Sequence, residues 1–230
     1  MSALTQLQPE RRLVVAMAGL TMLTGLVDAT SYLGLGHVFT ANMTGNVVFL
    51  GFALGGAAGF SIAASLLALA AFLTGAVIGG RLVRADRTTH PAPTVFAVQT
   101  VVLIASVVVA STVDDPRTGV GRWALLALLG AAMGLQNAAV RRLAVNDMTT
   151  TVLTLTITGI AADSRLAGGS DPRILRRFVS VLLMLAGAAI GAALESRSLL
   201  WPAAAAAVAS VAATVWLKIT PNRTPTTDTP

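Results

Sequence analysis

Asp28 is the one acidic residue well inside a long apolar run, at 13–36. An ionised carboxylate facing lipid is costly, so Asp28 must face a bundle interior, a water-filled cavity or a partner, or else carry a proton. Thr21, Gly25, Asp28 and Tyr32 recur at intervals of three and four, which sets them on one stripe of a helix. A matching stripe, Gly130, Gly134, Asn137 and Arg141, offers an amide where the first offers a carboxylate. Two polar clusters, Asn42-Met43-Thr44-Gly45-Asn46 and Asp147-Met148-Thr149-Thr150-Thr151, come directly before the short apolar runs 47–60 and 152–162. Asn, Asp and Thr are good helix N-caps. Each cluster is therefore expected to open a half-helix whose free N–H groups and positive dipole end point into a cavity. That geometry suits an anion or a carboxylate-bearing solute. The expected substrate or ion pathway is Asp28, Asn42, Thr44, Asn46, Asn137, Thr149 and Thr151, with Asp28 binding a cation or carrying a proton. The competing reading is structural: hydrogen-bonding glue between helices and capping of re-entrant turns.

Other chemistries find little support. There is no cysteine, which excludes disulfides, thiolate catalysis and cysteine-ligated metals. The two histidines, His37 and His90, form no HExxH pattern, and neither lies deep in a long run. No serine sits in a convincing nucleophile motif. The expectation is a protein that is not an enzyme, with no catalytic residue, no metal and no cofactor.

The elements that must position these residues are membrane helices. Of 230 residues, 55% are hydrophobic and only 11% charged, with a mean hydropathy of +0.77, far too apolar for a soluble domain. A crossing helix needs about 20 apolar residues. Six runs come close: 13–36, 62–80, 94–113, 123–140, 178–194 and 199–217. Arg11 and Arg12 precede the first, but the small residues Ala16-Met17-Ala18 stand at its start, so it reads as an uncleaved span. The net charge of +6 does not point to nucleic acid, because the basic residues cluster at the ends of apolar runs. If only the six long runs cross with the N-terminus inside, 13 Lys and Arg lie inside and 3 outside; if the two short runs also cross, the split is 10 to 6. The positive-inside rule favours six spans with 47–60 and 152–162 re-entrant.

The second half repeats the first. Gly25-Leu26-Val27-Asp28-Ala29 aligns with Gly134-Leu135-Gln136-Asn137-Ala138, the two Met-Thr clusters align, and Gly75-Ala76-Val77-Ile78-Gly79 aligns with Gly187-Ala188-Ala189-Ile190-Gly191. Three crossings per half would invert the second repeat relative to the first, a recurrent transporter plan. Gly25, Gly75, Gly79, Gly134, Gly187 and Gly191 are expected at close helix contacts; Gly75 with Gly79, Gly130 with Gly134 and Gly187 with Gly191 have GxxxG spacing, as does Gly55 with Gly59.

Gly25-Leu26-Val27-Asp28-Ala29 and Phe39-Thr40-Ala41-Asn42-Met43-Thr44-Gly45-Asn46 resemble the signature of the YoaK-like family of uncharacterised bacterial membrane proteins. The resemblance covers nearly the whole chain apart from its two tails. It implies a small integral protein of a bacterial cytoplasmic membrane and brings no biochemical activity with it.

The expected fold is all-α: a polytopic bundle of six transmembrane helices plus two short re-entrant or broken ones, as two inverted 3+3 repeats. A cytoplasmic tail at 1–12 precedes one transmembrane domain at 13–218, with repeats at 13–113 and 122–218, and a disordered cytoplasmic tail follows at 219–230. Asp114-Asp115-Pro116 marks an external turn, and Ser170-Asp171-Pro172 a helix start. The expected partners are the lipid bilayer, a small solute and further copies of the chain, with no nucleic acid. The function expected is a small transporter or channel for a polar or anionic solute, or alternatively a non-transporting scaffold or accessory subunit.

Overall fold

The computed structural model describes residues 3–85, 93–143, 153–170 and 174–219. Every regular element among them is helical. In chain order these are α1 (Ala3–Gly34), α2 (Met43–Leu54), α3 (Ile62–Ala85), α4 (Pro93–Thr112), α5 (Gly119–Leu143), α6 (Leu153–Ala162), a 3-10 turn (Arg165–Ala167), α7 (Ile174–Glu195) and α8 (Leu200–Ile219). All but α2 and α6 are long and apolar enough to cross a membrane, giving 6 candidate spans. With 12 and 10 residues, α2 and α6 are too short. At 1.5 Å per residue they rise about 18 and 15 Å against a hydrocarbon core of about 30 Å. The protein is a multi-pass, all-helical membrane protein.

Several helices outrun their apolar stretches. Helix α3 continues through Arg81 and Arg84, and α5 takes in Arg122 at one end and Arg141 and Arg142 at the other. Arginines there carry their charge to the interface on apolar stems, so the helix need not stop where hydropathy drops. Helix α1 likewise begins at Ala3, well ahead of its apolar span Leu13–Gly34.

Helices α1 and α5 form the centre and run antiparallel. At one end Arg122 Nε donates to the Leu35 carbonyl at 2.8 Å; further along, Gln136 Nε2 donates to Thr24 Oγ1 at 3.0 Å and to the Leu20 carbonyl at 3.3 Å. Each central helix has a parallel neighbour from the other half, seated on glycines. Along α7, Gly187 meets Met22 and Gly191 meets Leu26, while Gly25 of α1 meets Met184 and Ala188. Along α3, Gly75 meets Ala131 and Gly79 meets Leu135 and Ala138, while Gly134 of α5 meets Phe72 and Ala76. A Cβ at any of the six would collide with the neighbouring helix, so these glycines set the close approach. All six expected packing glycines are thus at helix contacts, and the two contact sets fall on corresponding positions of the two halves. Gly55 and Gly59 are different: they sit exposed in the loop after α2, with Gly59 at φ 85°, and pack no helix.

Helices α4 and α8 complete the bundle through hydroxyls, with Thr100 Oγ1 2.8 Å from Ser210 Oγ and 3.2 Å from Thr214 Oγ1. Between α4 and α5 the turn expected at Asp114-Asp115-Pro116 forms, with Asp115 accepting from Arg117 N at 3.0 Å and Thr118 Oγ1 at 2.9 Å.

Candidate functional site

Helix α1 ends at Gly34, and Gly36 and His37 take positive φ of 95° and 57°, which reverses the chain. The Arg122 guanidinium lies where a side chain at Gly36 would go, so any other residue there would have to displace it. The chain then runs back along α1. Thr40 Oγ1 donates to Ser31 Oγ at 3.2 Å, and the Thr40 and Ala41 N–H groups donate to Asp28 Oδ1 at 3.0 and 2.7 Å. Asn42 Nδ2 donates to Asp28 Oδ2. Asp28 lies about 9 Å of helix rise below the end of α1, and α2 starts at that depth. It climbs back until the Gly59 carbonyl stands 3.3 Å from His37 Nδ1. The segment 38–60 therefore enters and leaves at the same end of the bundle.

Main-chain N–H groups buried inside a membrane bundle must find acceptors, and each one left unpaired costs several kcal/mol. Asp28 supplies acceptors for two of them. Asn46, fully buried, supplies the next pair: its Oδ1 accepts from Phe39 N at 2.9 Å and its Nδ2 donates to the Phe39 carbonyl at 2.5 Å. Asn42 does occupy the N-cap position of α2, but its side chain makes no capping bond. The expected side-chain cap is corrected here: the Asn42 oxygen, the atom that would cap, takes no N–H of the first turn, while its Nδ2 donates to Asp28. The carboxylate meeting the N–H groups before α2 belongs to the chain itself.

Beside this knot is a cavity of about 400 Å³. Asp28, Tyr32, Phe39 and Asn42 line one side, and Met184, Ala188 and Ala192 of α7 line the other. Tyr32 stacks on Phe39 with centroids 5.1 Å apart, and the rings continue outward through Phe49, 5.4 Å from Phe39, to Phe60, 5.1 Å further.

The family pattern described as "Protein of unknown function (DUF1275)" matches residues 16–216, most of the chain and all of this site. The chain belongs to the DUF1275 family. It is also 36% identical over 145 residues to the UPF0700 transmembrane protein YoaK of Bacillus subtilis (strain 168), a match covering 63% of this chain and 64% of the relative. The chain thus spans just under two thirds of that relative's length. The resemblance read from the Asn-Met-Thr-Gly-Asn run holds. No solved structure matches.

In this DUF1275 protein the residues expected to form a pathway gather only in part. Asp28 and Asn42 line the cavity and Asn46 braces the loop that forms its wall. Thr44 is exposed on the first turn of α2, outside the lining. Asn137, half-buried, donates to the Met133 carbonyl of its own helix at 2.9 Å. Thr149 and Thr151, and the expected helix start at Asp171-Pro172, lie outside the described residues.

Two polar groupings and one aromatic one escaped the sequence reading. Gln99 and Gln136 are fully buried, with Gln99 Nε2 donating to Gln136 Oε1 at 2.8 Å, and Gln136 going on to Thr24; this joins α1, α4 and α5 at the core. The signal was present, since each is an amide inside a long apolar run. Buried Glu195 at the end of α7 takes both a side-chain and a main-chain bond from Arg117. The aromatic column could not be found from spacing, because its members come from four separate stretches of chain.

Proposed function

We propose that this DUF1275 protein is a small membrane transporter or channel, not an enzyme, whose solute site is the Asp28 cavity on the seam between two inverted repeats. The observation that carries this is a buried carboxylate opening on a cavity whose two walls come from different halves of the chain. An intramembrane ionisable residue is a default mark of a solute or ion path. Antiparallel α1 and α5, with matching glycine contacts on their partners, support the inverted-repeat arrangement. A re-entrant segment at the seam is the feature such transporters use to bring backbone and polar groups to membrane depth. A carboxylate in the lining favours a polar or cationic solute over an anion.

The test is flux in proteoliposomes for a panel of small polar solutes of both charge signs, comparing the natural chain with Asp28→Asn and Asn42→Ala. Asp28-dependent uptake of one class is expected. Uptake equal to empty liposomes throughout would sink the reading. A scaffold is the second reading, favoured by the bonds through which Asp28 ties down its own loop. It gains if those variants lower folded yield while no solute shifts the melting temperature.

The same reading sets both termini on the cytoplasmic side. With no native cysteine, Ser61→Cys and Leu166→Cys can be probed in intact cells with an impermeant thiol reagent. Labelling at 61 alone is expected; labelling at 166 alone would reverse the orientation.

A further inference from the structure

The Asp28 carboxylate takes Thr40 N and Ala41 N on Oδ1 and Asn42 Nδ2 on Oδ2, and the Asn42 main-chain N–H is turned toward it as well. Of the three direct bonds only one falls on Oδ2, and Asp28 is part of the cavity lining. Neutral donors solvate a buried anion without cancelling its charge. Among the described residues the ion pairs are Arg117 with Glu195 and Arg177 with Asp163, and no Arg or Lys pairs with Asp28. A buried carboxylate with no cation of its own calls for one from outside, or for a proton.

The walls say which kind of cation fits. A bare metal ion takes about six oxygen ligands, whereas apart from Asp28 and Asn42 the lining is Gly, Ala, Leu, Met, Tyr and Phe. No group of three or more carboxylates and histidines stands together among the described residues. Apolar and aromatic walls around one carboxylate suit a cation that carries its own apolar body. Tyr32 and Phe39 present stacked rings at 5.1 Å, and ring faces attract ammonium groups. A cavity of about 400 Å³ has the volume of about a dozen waters.

We infer that the cavity binds a small organic ammonium compound, with its charged nitrogen donating to Asp28 Oδ2 and its body against Tyr32 and Phe39. This rests on the reading of the cavity as a solute site and names the solute class.

The experiment is calorimetric titration of the purified full chain in nanodiscs, at constant pH and ionic strength, with phenethylamine, its neutral analogue 2-phenylethanol and its anionic analogue phenylacetate. Phenethylamine is expected to bind at least about tenfold more tightly than either analogue. Asp28→Asn should weaken it by about tenfold or more. Tyr32→Leu, which leaves every hydrogen bond of Asp28 in place, should weaken it about two- to tenfold. Equal binding of amine and alcohol, preference for phenylacetate, or a folded Tyr32→Leu with full amine affinity would each overturn the inference. So would the absence of amine binding together with a protonated-carboxyl infrared band that vanishes in Asp28→Asn, since a proton would then be the missing counter-charge. If Asp28→Asn does not fold, the amine-to-alcohol ratio and Tyr32→Leu still decide. Flux separates the two readings. Amine binding without amine uptake leaves the site standing and removes transport; uptake of an anion with no amine binding does the reverse.

Discussion

The two halves share a packing scheme and differ in their polar groups. Met22 and Leu26 of α1 receive Gly187 and Gly191 as Ala131 and Leu135 of α5 receive Gly75 and Gly79. The positions of Asp28 and Asn137 correspond, but one is a carboxylate that accepts from the Thr40 and Ala41 N–H groups and the other an amide that, among its bonds, donates to Met133 of its own helix. The short helices are held differently too. In the second half, Arg177 of α7 pairs with Asp163 at 2.6 Å and its guanidinium lies against Gly159 of α6. The corresponding position on α3 is Ser65, buried, with a hydroxyl that has no partner among the described residues. Close packing restricts glycine positions in both halves equally, because backbone contact tolerates no added atom. Polar residues are restricted only by their partners, so the halves could diverge there.

The sharpest way to break this comparison is at Asp28. Asp28→Ala strands two main-chain N–H groups at membrane depth, and a loss of about 3–5 kcal/mol is expected. Asn137→Ala should cost no more than about 1–2 kcal/mol. Unfolding midpoints of the two variants in one detergent measure the difference, and equal losses would end the asymmetry.

Glycine substitutions test the shared part. Gly187→Ala and Gly75→Ala each force a methyl against main chain, and each should cost about 1–3 kcal/mol. The two values should agree within about 0.5 kcal/mol if the contacts are equivalent. A large loss in one half alone would mean that the halves pack differently.

Asn46→Ala removes both bonds to Phe39 and should cost about 1–2 kcal/mol. Protease sensitivity should rise in the 38–60 segment, while susceptibility of the loop between α4 and α5 stays unchanged.

The smallest effect belongs to Ser65→Ala. Its hydroxyl gains no bond from the described residues, so removal should be neutral within about 0.5 kcal/mol or slightly stabilising. A loss above about 1 kcal/mol would reveal a partner for that hydroxyl and sharpen the contrast with Arg177.

Much of this was legible in the residues. Apolar run length gave the six candidate spans, since the hydrocarbon thickness fixes how many residues a crossing helix requires. GxxxG spacing picked out the packing glycines but also Gly55 and Gly59, which are loop residues; spacing alone cannot say whether a second helix is opposite. Asn42 was legible as a residue opening α2, and its partner was not. The bond from its Nδ2 to Asp28 spans fourteen residues and exists only because the chain reverses at Gly36 and His37.

The sequence by itself determined that this chain lies in a membrane, where its helices run and which carboxylate cannot face lipid, because each of these follows from local hydropathy and periodicity. The tertiary structure decided what that carboxylate meets. Hydrogen bonds and cavities are made by groups brought together from distant stretches, as Asp28, Phe39 and Met184 are, and no local pattern records which stretches will meet.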